Sequence, residues 1–336
     1  MIKKKLMINF INELFLKIKL YAGYYQKKDI FMNLSNKVNR SFWSEDLQKT
    51  GIFGSHHPIF NDFTLLDKDI LYSDNLSNYK QFHLNIDEEY FEWVDLLMSI
   101  KDASNGSYHF VELGSGFGRW GVRAIVNAKY NKNINSSYVE FVEAEPRHIK
   151  MNLEHCKIND IKKFKLYDGL ISDHNGEDLF YINQPNSNID EISIKWWGQA
   201  KVSNYEKKIK EIGRFENKII YLLSSGYQAI SVKTLDIAQI SNSWNAVDLV
   251  DLDVQGEEFL ILKRSIKNFN SKVKRIHIGT HSEDVEEKIF KLLKDNKWIN
   301  IRNYSCLKVN KTIFGNIKFI DGVQSWINPR FNVTYG

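Results

Sequence analysis

The chain is 336 residues long, 43% apolar, and carries 46 basic against 41 acidic side chains for a formal net charge of +5. That supports one large domain with additions, and the interleaving of acids with the lysines gives a solvated surface rather than a nucleic-acid footprint. Two isolated cysteines, Cys156 and Cys306, argue against a zinc knuckle or a disulfide framework and suit a reducing cytoplasm.

Residues 1–5 are basic, and 6–20 are apolar but interrupted by Asn9, Asn12, Glu13, Lys17 and Lys19, which is too polar to span a bilayer. Phe10, Leu14 and Ile18 form a helical stripe. It is expected to pack on the body, the sharper reading being peripheral association with the inner face of a membrane. Residues 1–107 read as a helical and irregular extension. It holds one well-marked helix over 87–101, with an acidic first turn and a face of Phe91, Val94, Leu97 and Met98. The run 103–107 then breaks the chain.

From 108 to the end the pattern is β-α-β, read as one domain over 108–336. Strands are expected over 108–113, 137–144, 164–171, 246–254 and 274–280, with helices over 119–130, 147–157, 257–269 and 282–297. A polar insert at about 184–218 interrupts the rhythm, and short strands close the chain over 299–334. Alternation of this kind predicts an α/β fold: a mostly parallel, Rossmann-like sheet with helices on both faces and ligands at the carboxyl ends of its strands.

The first strand ends in Glu112-Leu113-Gly114-Ser115-Gly116-Phe117-Gly118 and feeds a helix. Glycines suit a loop whose backbone turns sharply beneath a nucleotide-like ligand. Two cofactor classes compete for it. Gly116-Phe117-Gly118-Arg119-Trp120-Gly121 matches the G-x-G-x-x-G pyrophosphate pattern of a nicotinamide dehydrogenase. Glu112, placed two residues before the first glycine, suits S-adenosylmethionine (SAM), whose sulfonium and ammonium a carboxylate can hold. Glu112 tips the reading to SAM, with Gly114, Gly116 and Gly118 in the loop. A carboxylate for the ribose hydroxyls is expected at the end of the next strand: Glu145 first, Glu143 second. Asp168, in the third strand, is a further cofactor-binding candidate. Asp251 and Asp253 alternate with apolar residues, so both point to one side of a buried strand and call for a cation, hydroxyls or a proton-transfer role.

Motif by motif, Glu112–Gly118, Glu145-Pro146, Leu235-Asp236 and Asp251-Leu252-Asp253-Val254-Gln255-Gly256-Glu257-Glu258 together resemble the FkbM-type SAM-dependent methyltransferases. The likeness runs over about 108–300 and implies the class I methyltransferase fold, SAM as cofactor, and a hydroxyl on a sugar or glycan as acceptor. The chain departs from that pattern at Asp251 (usually Lys), Gln255 (usually Glu) and Gly279 (often an acid), so no metal ligand is assigned, although a divalent ion stays open. His56-His57, lacking a third ligand, reads as a loop. His281 at a strand end is the first candidate base and Asp253 the second. Gln255, Glu258 and the insert's Trp197 are the candidates for the acceptor side. A nicotinamide dehydrogenase and a non-catalytic methyltransferase-like module are the alternatives.

Overall fold

A computed structural model describes residues 87–334, apart from 104–105, 130, 187–198, 204–205, 216–217 and 313–314. The N-terminal stripe, the His56-His57 pair and Trp197 lie outside the described residues.

Helix α1 (Glu88–Asp102) starts where the Asp87 side chain accepts from the Tyr90 amide, and Glu88 and Glu89 complement its dipole. Phe91, Val94, Leu97 and Met98 are buried, as their spacing predicts; so are Tyr90, Trp93, Leu96 and Ile100, so the helix is enclosed on most sides. The alternation then runs β1 (Ser107–Leu113), α2 (Arg119–Lys129), β2 (Ser136–Glu143), α3 (Pro146–Ile158) and β3 (Phe164–Asp168). The strand expected over 164–171 divides after Asp168, and its second half, β4 (Leu170–Ser172), joins another sheet. That sheet is completed by β5 (Gly176–Asn183), β6 (Lys208–Phe215), β7 (Lys218–Leu223) and β8 (Gln228–Asp236). The insert is therefore a folded, largely antiparallel unit spanning 170–236, wider than the polar stretch at 184–218. Helix α4 (Ile237–Asn242) leads back to β9 (Leu249–Leu252), α5 (Glu258–Lys272), β10 (Arg275–Thr280) and α6 (Glu283–Asp295). The chain closes with β11 (Ile299–Tyr304), the hairpin β12 (Val309–Thr312) and β13 (Gly315–Lys318), and β14 (Gly322–Ile327).

The main sheet has the order β3-β2-β1-β9-β10-β14-β11, with β14 antiparallel to both of its neighbours. Numbered by use within that sheet, this is 3-2-1-4-5-7-6 with strand 7 reversed, the class I methyltransferase topology that the α/β alternation and the resemblance lead one to expect. The order reverses between β1 and β9, so their carboxyl ends flank a crevice where ligands bind in open α/β sheets.

Strand alternation sorts the side chains onto two cores. Val111, Leu113, Val250, Leu252, Ile276 and Ile278 enter the core shared with α5 and α6. Phe110, Leu249 and Val323 face the other way, against α1 and α2. Helix α1, which the sequence places in the extension, is thus part of the sheet's own core. Removing a fully buried leucine such as Leu97 costs about 2–5 kcal/mol. No helix among the described residues is long and apolar enough to cross a membrane.

Candidate active site

A cavity of about 300 Å³ opens over the carboxyl ends of β1, β2, β9 and β10. The glycine turn forms one wall. Gly114 and Ser115 both donate their amides to the Val142 carbonyl, at 3.1 and 3.0 Å, which locks the turn against β2. Gly114 has φ +82°, and a Cβ on it would lie 1.9 Å from the Asp253 carbonyl oxygen, so only glycine lets β1 and β9 approach this closely.

Glu112 lines the cavity, 3% exposed, but its two oxygens are already engaged. They accept from the first amides of α2, Trp120 at 3.2 Å and Gly121 at 2.7 Å. Burial, with the Asp251 carboxylate adding to it, holds the Glu112 carboxyl well above its ordinary value against those two amides.

The two acids around Glu145-Pro146 separate in role. Glu143 ends β2, lines the cavity and accepts from the Gly116 amide at 2.6 Å and from the Ala144 and Glu145 amides at 2.9 and 2.8 Å. Burial, then the neighbouring Glu145, push it up to about 8. Glu145 is fully buried outside the cavity lining: it caps α3 by accepting from the His148 amide at 2.8 Å and pairs with Arg147 Nε at 2.7 Å. The sequence preference for Glu145 over Glu143 is thus reversed in position, because the strand ends at Glu143 and Pro146 commits Glu145 to the helix cap. Asp168, opposite Glu143 in the register, is exposed and outside the lining as well.

At the mouth stand Asp253, Gln255, Glu258 and His281. The imidazole Nδ1 lies 3.0 Å from Glu258 Oε1, and its Nε2 lies 3.3 Å from Asp253 Oδ1 and 3.7 Å from Asp321 Oδ1. Burial opposes the cation, but the Glu258 hydrogen bond and the Asp253, Glu258 and Asp321 charges prevail and raise His281 to about 9. Gln255 Nε2 is 2.8 Å from His281 Nε2, so either the ring nitrogen of a neutral imidazole accepts from the amide, or the amide is turned to offer its oxygen to an imidazolium. Three carboxylates around one ring favour the imidazolium. Enclosure by the walls pushes Asp253 up to about 7; Glu258, Asp321 and Asp251 add to this and His281 opposes it. The Asp253 side chain keeps 45% of its surface open toward solvent, so a ligand reaches it. Glu258 is wholly buried, and its Oε1 also accepts from the Val254 and Gly256 amides. All the acceptor-side candidates with described positions therefore meet here, though Glu258 works behind His281 rather than at the surface.

The floor joins Glu112 and Asp251 to residues that sequence reasoning did not select. Glu112, Asp251, His277, Ser325 and Arg302 form one row across five neighbouring strands. Helix α1 brings Glu92 and Asp95 over that row. Asp95 accepts from His277 Nδ1 at 2.8 Å, from Arg302 Nη1 at 2.6 Å and from the Ser325 hydroxyl. Burial opposes its charge, but Arg302 and His277 overcome it and lower Asp95 to about 2. The available signal was an acid at i and i+3 on an otherwise apolar helix face, and a histidine alternating with Ile276 and Ile278. The smaller sheet adds Leu170, Ile171 and Phe180 to the cavity wall, and Gln199 joins them from the connection between β5 and β6.

No family model matches the chain, so the FkbM-type likeness stays at the level of its motifs. A protein named "Putative methyltransferase" from Jannaschia sp. (strain CCS1) is 28% identical over 213 residues, covering 62% of this chain and 67% of that protein. Among solved structures, the O-methyltransferase from Bacillus cereus in complex with SAH is 11% identical, with a TM-score of 0.40 over 85% of this chain and 96% of that one. The precorrin-6y C5,15-methyltransferase from Geobacter metallireducens GS-15 is 10% identical, with a TM-score of 0.36 over 80% and 94%. The strand order, rather than these distant likenesses, carries the fold assignment.

Proposed function

We propose that this protein is a SAM-dependent methyltransferase that methylates a hydroxyl of a sugar-bearing acceptor. The observation that carries the choice of cofactor is the Glu112 carboxylate on the first amides of α2. A dinucleotide would set its pyrophosphate on those same amides. With Glu112 already accepting from them, those amides are not free to donate to a pyrophosphate. A donor with no phosphate and a net cationic end suits the same cavity, whose lining also includes Glu143, Asp251 and Asp253. The methyltransferase named among the relatives supports the same reading.

In this reading the glycine turn and Glu143 hold the nucleoside, Glu143 accepting from the ribose hydroxyls. Bound SAM supplies a methyl group on an electrophilic sulfonium. The chain's task is to hold an acceptor oxygen in line with that methyl and to take its proton; positioning can supply roughly 7–11 kcal/mol and a well-placed base about 10²–10⁴-fold. Asp253 is the group placed to take the proton, since it faces the open mouth. His281, held as a cation by Glu258, orients Asp253 and the acceptor; the sequence expectation had these two in the opposite order. A neutral polyol also fits an acid-lined cavity better than an anionic acceptor such as nucleic acid.

The test is calorimetry with SAH and with NAD, followed by incubation of the full chain with methyl-labelled SAM and fractionated polysaccharide or lipid-linked sugars. The expected result is SAH binding, no NAD binding and label in a sugar fraction. NAD binding in place of SAH would overturn the cofactor, and SAH binding without label in any sugar fraction would overturn the acceptor.

A further inference from the structure

The floor of the cavity is built as a cation site separate from the mouth. Glu92, Asp251 and His277 each offer one donor atom, and these atoms all lie within 4.8 Å of one another. They come from three elements, α1, β9 and β10. Asp251 is 97% buried by residue, and its Oδ1 has no hydrogen-bond partner among the described residues, although it lines the cavity. His277 is equally buried, and its Nδ1 is taken by Asp95 at 2.8 Å, which fixes the ring and leaves Nε2 as its donor to the cluster. Asp95 is in turn held by Arg302 and Ser325. A carboxylate behind the far nitrogen of an imidazole is the arrangement that orients metal-binding histidines and raises their basicity.

We propose that Glu92, Asp251 and His277 bind a divalent transition ion of the Mn²⁺ or Zn²⁺ class, which ties α1 to the central strands of the sheet. Two carboxylates and one imidazole suit those ions better than Mg²⁺, which favours all-oxygen sites. The mouth cluster of Asp253, Glu258 and His281 also presents three donor atoms, but Glu258 Oε1 and His281 Nδ1 are spent on each other there, and His281 is held protonated.

The experiment uses the full chain stripped with chelator, titrated with MnCl₂ by calorimetry and by electron paramagnetic resonance, with melting followed in parallel. One bound Mn²⁺ per chain and a raised melting temperature are expected. Glu92→Gln, on the partly exposed helix position, and Asp251→Asn should each weaken binding about tenfold or more, whereas Asp253→Asn should leave it unchanged. If either floor variant melts far below the wild type, the other decides. No Mn²⁺ or Zn²⁺ binding, or binding lost with Asp253→Asn and kept in Glu92→Gln, would overturn the site. Competition between SAH and Mn²⁺ would assign the well to the donor's ammonium and overturn it too. SAH affinity of the stripped protein is measured separately, so a failed metal site and a failed methyltransferase reading are distinguishable.

Discussion

Replacing Gly114 with alanine tests the geometry of the turn directly. The new Cβ would meet the Asp253 carbonyl oxygen at 1.9 Å and its carbonyl carbon at 2.9 Å. Ordinary carbon contacts lie at about 3.5 Å, so backbone must yield by about 1.5 Å on one side or the other. Neither side is a flexible side-chain end: the movement displaces the donor loop, or Asp253, or both. Left-handed backbone in a non-glycine residue adds about 1–3 kcal/mol, and in a domain of this size each kcal/mol shifts melting by about 2–4 °C. Gly256→Ala is the matched control. It has φ +109°, but a Cβ there meets nothing within 4 Å, so it carries backbone strain without a collision. Melting and SAH calorimetry on both variants should show stability lost in each and affinity lost more than tenfold, about 1.4 kcal/mol, only in Gly114→Ala. Wild-type SAH affinity in Gly114→Ala, or equal losses in the two variants, would refute the close approach of β1 and β9 as the reason for that glycine.

The two acids at the end of β2 and just beyond it are predicted to separate experimentally: Glu143→Gln should weaken SAH binding with melting at pH 4.5 little changed. Glu145→Ala should cost at least about 1 kcal/mol of stability through the lost cap and leave SAH affinity intact; the reverse pattern would restore Glu145 to the cavity. Stability should fall as pH rises. Glu143 is raised from 4.5 to about 8 and His281 from 6.5 to about 9, so each favours the folded state below its unfolded value and loses that contribution as pH climbs through its folded value. Denaturant melts from pH 4.5 to 9 should show a shallower decline in Glu143→Gln up to about pH 8, and in His281→Gln between about 6.5 and 9, than in the wild type; parallel curves would remove these assignments. Arg302→Ala should destabilise by about 3–5 kcal/mol, because it leaves the buried Asp95 carboxylate with one cationic partner fewer. A loss below 1 kcal/mol would show that the floor network contributes little.

Much of the fold was legible because it is written locally. The 108–113 strand, the glycine turn and the α2 helix each carry their own signal within ten residues, and every helix expected after residue 87 is present within a few residues of its predicted ends. The smaller sheet was not legible. The polarity of 184–218 marked only an insert, and the alternation that pairs β5 with β8 depends on partners more than 40 residues apart. At the site, the mouth residues were visible because Asp253, Gln255 and Glu258 lie in one short motif and His281 follows a strand. Glu143 and Glu145 could not be ranked from sequence, since two residues apart they share a strand face, and only where the strand gives way to the α3 cap separates them.

Local residue choice by itself thus determined the α/β class, the glycine turn and an acid at the first strand's end, because φ freedom and side-chain alternation are properties of adjacent residues. Tertiary structure alone decided that Glu92 and Asp95 come to rest over Asp251 and His277, more than 150 positions later in the chain. It also spent Glu112 on the amides of α2. Both outcomes follow from packing α1 and α2 on the same face of the sheet, where a buried carboxylate takes whichever donor or cation the neighbouring elements present.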